Sequence, residues 1–211
     1  MKLLIVGGTS RTGRHVVDVA LSRSHEVALF CRTPSKVPEP HQHLEVFAGD
    51  ARDPAALSGA VRGCDAVICI LQADSTGAEQ IVARSILALL SVLDGGPTGD
   101  RPAPRLVLCS ARPVTATRPW FILTLLWLWL RNPYRDLARA EGMLEASRVD
   151  WRVVRPPRLL DGPGKGAYTV ASHPDEPGSA QDLDRVDLAL ALVEAAESDT
   201  GRRAIDIGGT G

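Results

Sequence analysis

Short apolar runs alternate along the chain with segments whose apolar residues recur every three or four positions. Residues 2–6, 26–31, 44–48, 66–71, 105–109 and 151–154 are close to continuously apolar and rich in Val, Ile and Leu, which predicts strands buried on both faces. Between them, residues 13–21 place Val16, Val17, Ala20 and Leu21 on one helical face, and residues 54–61, 78–93 and 137–147 read as further helices. Asp53 directly before Pro54 supplies an N-cap followed by a first-turn proline. Strands alternating with helices predict a Rossmann-like, doubly wound parallel sheet in a three-layer α/β arrangement. Residues 95–104 form a loop too short to link two domains. After Pro156 the pattern loosens into a Pro/Gly-rich segment, a short strand at 168–171, a helix at 182–196 and a last strand at 204–207. This C-terminal third reads as a small substrate cap over the carboxyl edge of the sheet, where ligands of such folds bind.

Composition narrows the class without changing it. A chain of 211 residues fits a single domain over residues 1–211. A net charge of -1 leaves no electrostatic footprint for nucleic acid or for an anionic membrane surface. The apolar run after Met1-Lys2 is too short for a secretory signal. The four cysteines, Cys31, Cys64, Cys69 and Cys109, include no CxxC pair, so they read as buried small hydrophobes of a cytoplasmic protein. His41-Gln42-His43 sits in a Pro-rich loop and reads as solvated, so no metal site is expected.

The first strand runs straight into Gly7-Gly8-Thr9-Ser10-Arg11-Thr12-Gly13, with helix following at once. A tight glycine turn there lets backbone N–H groups meet a pyrophosphate at a helix N-terminus, the arrangement of a dinucleotide site. Ser10 stands at the middle glycine of GxxGxxG. The second strand ends in Arg32, with Thr33, Ser35 and Lys36 behind it, where NAD-preferring proteins carry an acid for the ribose 2′-OH. Arg32 together with Arg11 favours a 2′-phosphate, hence NADP(H). Gly49-Asp50 reads either as a turn flanking the adenine or as a cap on the next helix, and Leu71-Gln72 lies where the ribose and nicotinamide pass.

These blocks resemble the atypical short-chain dehydrogenase/reductase group, and more narrowly the single-domain NAD(P)H-binding proteins around biliverdin-IXβ reductase/flavin reductase and the nitrogen-metabolite-repressor-like proteins. The resemblance rests on LLIVGGTSRTG, VALFCRTPSK, FAGDARD, LVLCSA, VVRPPRLLDGPGKGAYTV and DLDRVDLALAL, and the last two blocks set it apart from generic Rossmann chains. It implies that Gly7, Thr9, Ser10, Arg11, Thr12 and Gly13 hold the phosphates and that Arg32 takes the 2′-phosphate. Asp50 and Ala51 would flank adenine, while Leu71 and Gln72 would line the cofactor. Cys109, Ser110 and Ala111 would face the nicotinamide, with Pro156, Pro157 and Arg158 closing over its ring.

The remaining chemistry is open. Tyr-x-x-x-Lys, with which many relatives reduce ketones, is absent: Tyr134 is followed four positions on by Ala138. Hydride transfer to a conjugated acceptor of flavin, quinone, tetrapyrrole or enone type spreads the developing charge and depends less on a proton donor. Ser110 is then the catalytic candidate to hydrogen-bond the acceptor, with Tyr168 and Arg158 as secondary substrate contacts. Aromatic residues are only 4% of the chain, yet Trp120, Phe121, Trp127 and Trp129 fall in one apolar stretch, residues 120–130, which Asn132-Pro133 is expected to end. That stretch reads as a lid over a large hydrophobic small-molecule substrate, as a dimer or membrane-surface contact, or as core; it is too short to span a bilayer. The chain is expected to be a monomer or homodimer. Three functions compete: an NADPH-dependent reductase, a non-catalytic NADP-binding regulator acting through partners, and an isomerase or cyclase without net redox.

Overall fold

The computed structural model describes residues 1–37, 41–72, 80–94, 102–114, 120–171, 181–199 and 203–210, with the side chains of 113 and 120–131 outside that set. Strands β1 (Lys2–Val6), β2 (Glu26–Cys31), β3 (Leu44–Ala48), β4 (Ala66–Cys69), β5 (Arg105–Cys109), β6 (Trp151–Arg155), β8 (Tyr168–Ala171) and β10 (Ala204–Gly209) form one sheet in the order β3-β2-β1-β4-β5-β6-β10-β8. Every pairing in it is parallel except β10 with β8. A separate parallel pair joins β7 (Leu159–Leu160) to β9 (Leu183–Asp184). The C-terminal third therefore contributes both this small pair and two strands that widen the main sheet.

Helices α1 (Arg11–Ser22) and α5 (Arg185–Glu197) cover one face, where Val16, Val17, Leu188 and Leu192 bury against Leu3, Ile5 and Ile68. Helices α2 (Pro54–Val61), α3 (Ile81–Leu93) and α4 (Trp120–Ala146) cover the other, where Leu57, Ile86, Leu89 and Leu144 meet Leu4, Phe30 and Leu106. The doubly wound, three-layer class follows from this. Cys31, Cys64 and Cys69 are buried free thiols, and Cys109 is a partly exposed one. No helix among the described residues is long and apolar enough to cross a membrane.

Several boundaries differ from the pattern reading. Residues 120–130 and 137–147 are not separate elements: α4 runs unbroken from Trp120 to Ala146 with Pro133 inside it. A proline removes one N–H and crowds the carbonyl four residues back, but the other backbone bonds of a long helix survive it. Helix α3 begins at Ile81 because Gln80 adopts a left-handed backbone, and residues 73–79 lie outside the described set. Helix α5 begins at Arg185 because Leu183–Asp184 pairs with β7. Most of the loop expected at 95–104 also lies outside the described residues.

Buried carboxylates fasten the parts that border the sheet's carboxyl edge. Asp184 accepts the N–H groups of Gly162 and Gly164 at 3.1 Å, and Asp187 accepts those of Lys165 and Gly166 at 2.9 Å. The two sequence blocks that marked the resemblance are thus one clamp, a glycine-rich loop held by the start of α5. Asp136 on α4 is 2% exposed and accepts from Val82 N and Ala83 N of α3, both at 2.9 Å. Gln80 makes no side-chain cap there, so Asp136 satisfies the orphan donors of α3 from another helix. Asp136→Ala should lower stability by about 1.5–3 kcal/mol, the worth of charge-assisted bonds, with Asp136→Asn losing less. Urea denaturation measures this, and an unshifted midpoint for Asp136→Ala would remove the cap from the account.

Candidate functional site

The turn from β1 into α1 is built on close approach. Gly7 has φ +91, and a Cβ there would collide with the Ile70 carbonyl oxygen. A Cβ on Gly13 would strike the Gly7 carbonyl and the Gly8 backbone, so the helix start lies directly on the turn. Ser10 is the N-cap of α1: with φ -72 it needs no glycine, and its Oγ accepts the Gly13 N–H at 3.0 Å. The departure from GxxGxxG at this position is therefore a capping residue. Among the described residues the N–H groups of Arg11 and Thr12 have no acceptor, and the first turn of α1 carries no acid. A pair of donors without acceptors, beside a cleft at an acid-free helix N-terminus, fits a phosphate.

The strand ends beside this turn open a cleft in two adjoining parts, of about 270 and about 910 Å³. The smaller holds Gly7, Thr9 and Ser10 from the turn, Arg32 and Lys36 beyond β2, Asp50 and Ala51 beyond β3, and Leu71 and Gln72 beyond β4. It also holds Arg52, which sequence reading passed over. The Arg52 guanidinium lies 2.6 Å from Asp50 Oδ2 and, with the Arg52 backbone N–H on the same carboxylate, holds the Asp50 carboxyl down at about 2. Asp53, not Asp50, caps α2, accepting from Ala55 N at 2.9 Å. Ser85 on α3 borders this part too, and its buried hydroxyl has no partner among the described residues.

The larger part shares Ser10, Arg32, Leu71 and Gln72 and adds Arg11, Thr12, Cys109, Ser110, Ala111, Pro156 and Pro157. Its far wall is α4, through Pro133, Tyr134 and Leu137. Burial raises the Tyr134 phenol above its ordinary value, so Tyr134 keeps its proton. Across the mouth, Asp161 bridges Arg11 at 3.0 Å and Arg185 at 2.6 Å, tying the glycine turn to the start of α5.

Three expected residues are placed elsewhere. Gly13 lines neither part and acts instead by letting the helix approach the turn. Arg158 is 76% exposed, borders neither part and pairs with Asp182 at 3.6 Å. Tyr168 belongs to the face covered by α5, where its hydroxyl donates to Glu194 Oε2 at 2.6 Å. The side chains of Trp120, Phe121 and Trp127 lie outside the described set, so their reading as substrate contacts, lid or interface does too. Arg52 and Arg185 carried no local signal, because their place at the cleft depends on loops and on a helix start remote from the glycine turn. Among the described residues no cluster of three or more His, Cys, Asp or Glu side chains could hold a metal.

A parallel sheet whose first strand–turn–helix unit presents free N–H groups to a cleft at the strand carboxyl ends defines a dinucleotide-binding Rossmann protein. The chain belongs to the NAD(P)H-binding family, whose model matches residues 7–199. It is 29% identical over 94% of its length to the oxidoreductase stcQ of Emericella nidulans, covering 78% of that protein. The anaerobillin reductase ChuY of Escherichia coli O157:H7 superposes with a TM-score of 0.81 at 18% identity, over 99% of this chain and 97% of that one. A short-chain dehydrogenase/reductase of Veillonella parvula, solved in complex with NADP, superposes with a TM-score of 0.80 at 16% identity, over 100% and 95% of the two chains. The two structural likenesses bear on the fold.

The cap makes a direct prediction about Ser10. Ser10→Ala should lower stability by about 1 kcal/mol and Ser10→Gly by only a few tenths, because glycine at an N-cap exposes the donors to water. Chemical denaturation compares the two, and equal losses would deny the hydroxyl its capping role.

Proposed function

We propose that the protein is an NADPH-dependent reductase delivering hydride to a hydrophobic, conjugated acceptor. The observation that carries this is the charge of the smaller part of the cleft. Among the described residues Arg32, Lys36 and Arg52 border it, while the one carboxylate there, Asp50, is engaged by Arg52. An acid at the end of β2, free to accept from a ribose 2′-OH, would favour NADH; Arg32 stands there instead, and the two cations outside the Asp50–Arg52 pair, Arg32 and Lys36, favour a 2′-phosphate. The buried, unpartnered Ser85 hydroxyl and the donor pair at Arg11 and Thr12 also fit a nucleotide along this edge.

When bound, the reduced nicotinamide supplies the hydride. The chain's own residues do the rest. Arg11 N–H and Thr12 N–H hold phosphate oxygens, and Leu71, Pro156 and Pro157 exclude water from the larger part. Tyr134 Oη holds a proton at the α4 wall, and no lysine lines this part of the cleft to draw that proton off. A phenol so placed hydrogen-bonds an acceptor but is a poor proton shuttle for an isolated ketone, which favours an acceptor whose charge delocalises. The oxidoreductase relative and the NADP complex of a chain with this fold accord with the reading.

Two charge-assisted contacts of about 1.5–3 kcal/mol each imply at least a tenfold preference for NADPH over NADH. Titration of both nucleotides measures it, and Arg32→Ala should remove most of it without weakening NADH binding. Equal dissociation constants in the wild type would overturn the cofactor assignment. Failure of every flavin, quinone and enone offered with NADPH to consume it would overturn the reductase.

A further inference from the structure

Ser110 follows β5 directly, is 6% exposed and borders the larger part of the cleft. Its hydroxyl donates to Glu141 Oε1 on α4. Glu141 is itself 5% exposed and is gripped by Arg155 of β6, whose Nε lies 3.3 and 3.2 Å from its two carboxylate oxygens and whose Nη2 lies 2.6 Å from Oε2. The other arm of Arg155 faces Asp206 Oδ2 at 3.7 Å, so the guanidinium is held between two buried acids. A carboxylate engaged this way by a guanidinium only accepts hydrogen bonds, which commits the single Ser110 proton to Glu141. The backbone N–H of Ser110 is committed as well, to the Val154 carbonyl at 2.9 Å. What remains for the cleft is the lone-pair side of the oxygen.

We propose that Ser110 meets its ligand as a hydrogen-bond acceptor, and that Glu141 with Arg155 is the positioning pair that gives it this polarity. The molecule reduced here then carries a proton donor where it faces Ser110. Its class is a conjugated ring system that presents an N–H or O–H toward Ser110, and not a quinone or enone offering bare carbonyl oxygens. A carbonyl set against the Ser110 lone pairs would place two acceptors face to face in a dry site, the mismatch that buried polar sites reject most strongly. The inference rests on the reductase reading and narrows its substrate.

Matched pairs test it: riboflavin and 5-deazariboflavin, each with its ring N-methylated derivative, measured for binding and for kcat/KM with NADPH. The protonated member of each pair should be preferred at least about tenfold, chiefly through KM and binding. Ser110→Ala, which leaves the Glu141–Arg155 pair in place, should erase the preference. Glu141→Gln offers Ser110 an amide donor, frees the hydroxyl proton for the cleft and should turn the preference toward the methylated members. A purely structural Glu141 would lower stability without reordering the pairs. Should Glu141→Gln not fold, Ser110→Ala decides alone. Equal handling of each pair by the wild type, as would follow if the nicotinamide carboxamide took the Ser110 lone pair, overturns the inference. So does a preference that survives Ser110→Ala, or failure to bind any member. Discrimination in binding that Ser110→Ala erases, without turnover of any acceptor, would keep the polarity of Ser110 and remove the reductase.

Discussion

The approach of Gly13 to the Gly7–Gly8 backbone is the contact on which the site depends. It brings the start of α1 onto the end of β1, and any side chain at Gly13 would drive the two apart. Gly8 packs against side chains instead, where a Cβ would meet Leu29, Ile5 and Val17 beneath the turn. The strand register then fixes everything else along the edge. Val6 pairs with Phe30 and with Cys69, Cys69 with Leu108, and Cys109 with Val154. These strands end within two residues of one another, so the residues just beyond them, Gly7, Arg32, Ile70, Ser110 and Pro156, border one edge. A cleft at that edge is a consequence of parallel pairing and of a strand order that reverses between β1 and β4.

A second layer of constraint comes from carboxylates removed from water. Asp136, Asp187 and Glu141 are all at most 5% exposed, and each is engaged by backbone N–H groups or a guanidinium. Burying a charge without partners is costly, so such groups act as conditional fasteners: they stabilise only the geometry in which their donors are present. Asp136 sets α4 against the start of α3, which places Tyr134 and Ile81 on the same part of the cleft. Asp184 and Asp187 set the loop at Gly162–Gly166 against α5, which brings Asp161 to Arg11 and Arg185. The walls of the cleft are thus held by electrostatics, while its floor is held by the packed sheet.

The floor was legible in the sequence and the walls largely were not, and the difference is one of range. Strands such as Lys2–Val6, Glu26–Cys31 and Arg105–Cys109 announce themselves because burial on both faces leaves no polar position to interrupt the run. The glycine turn is readable because its closest backbone contact, Gly13 against Gly7 and Gly8, acts within seven consecutive residues. Pro133 misled because a turn signal is local, whereas the helix around it is longer than the signal's reach. Asp136 caps donors 54 residues back in the chain, and no pattern in α3 or α4 alone reports that pairing. Tyr168 shows the converse: a residue type suited to a site, on a strand whose antiparallel pairing with β10 carries it to the α5 face.

Chemistry at the edge is set less by which groups are present than by which remain uncommitted. Asp50 lies beyond β3 in the smaller part of the cleft, where Arg52 engages its carboxylate and holds its pKa down at about 2. Arg32, exposed beyond β2, borders the same part of the cleft and also lowers the Asp50 carboxyl. Ser110 follows the same logic at the other end, where a partner 31 residues away takes the proton and leaves an oxygen. In both places a neighbour already occupies the group: Arg52 holds the Asp50 carboxylate, and Glu141 accepts from the Ser110 hydroxyl. Specificity along this edge is consequently a property of pairs, Asp50 with Arg52 and Ser110 with Glu141, and a single substitution in either pair changes what its partner offers to a ligand.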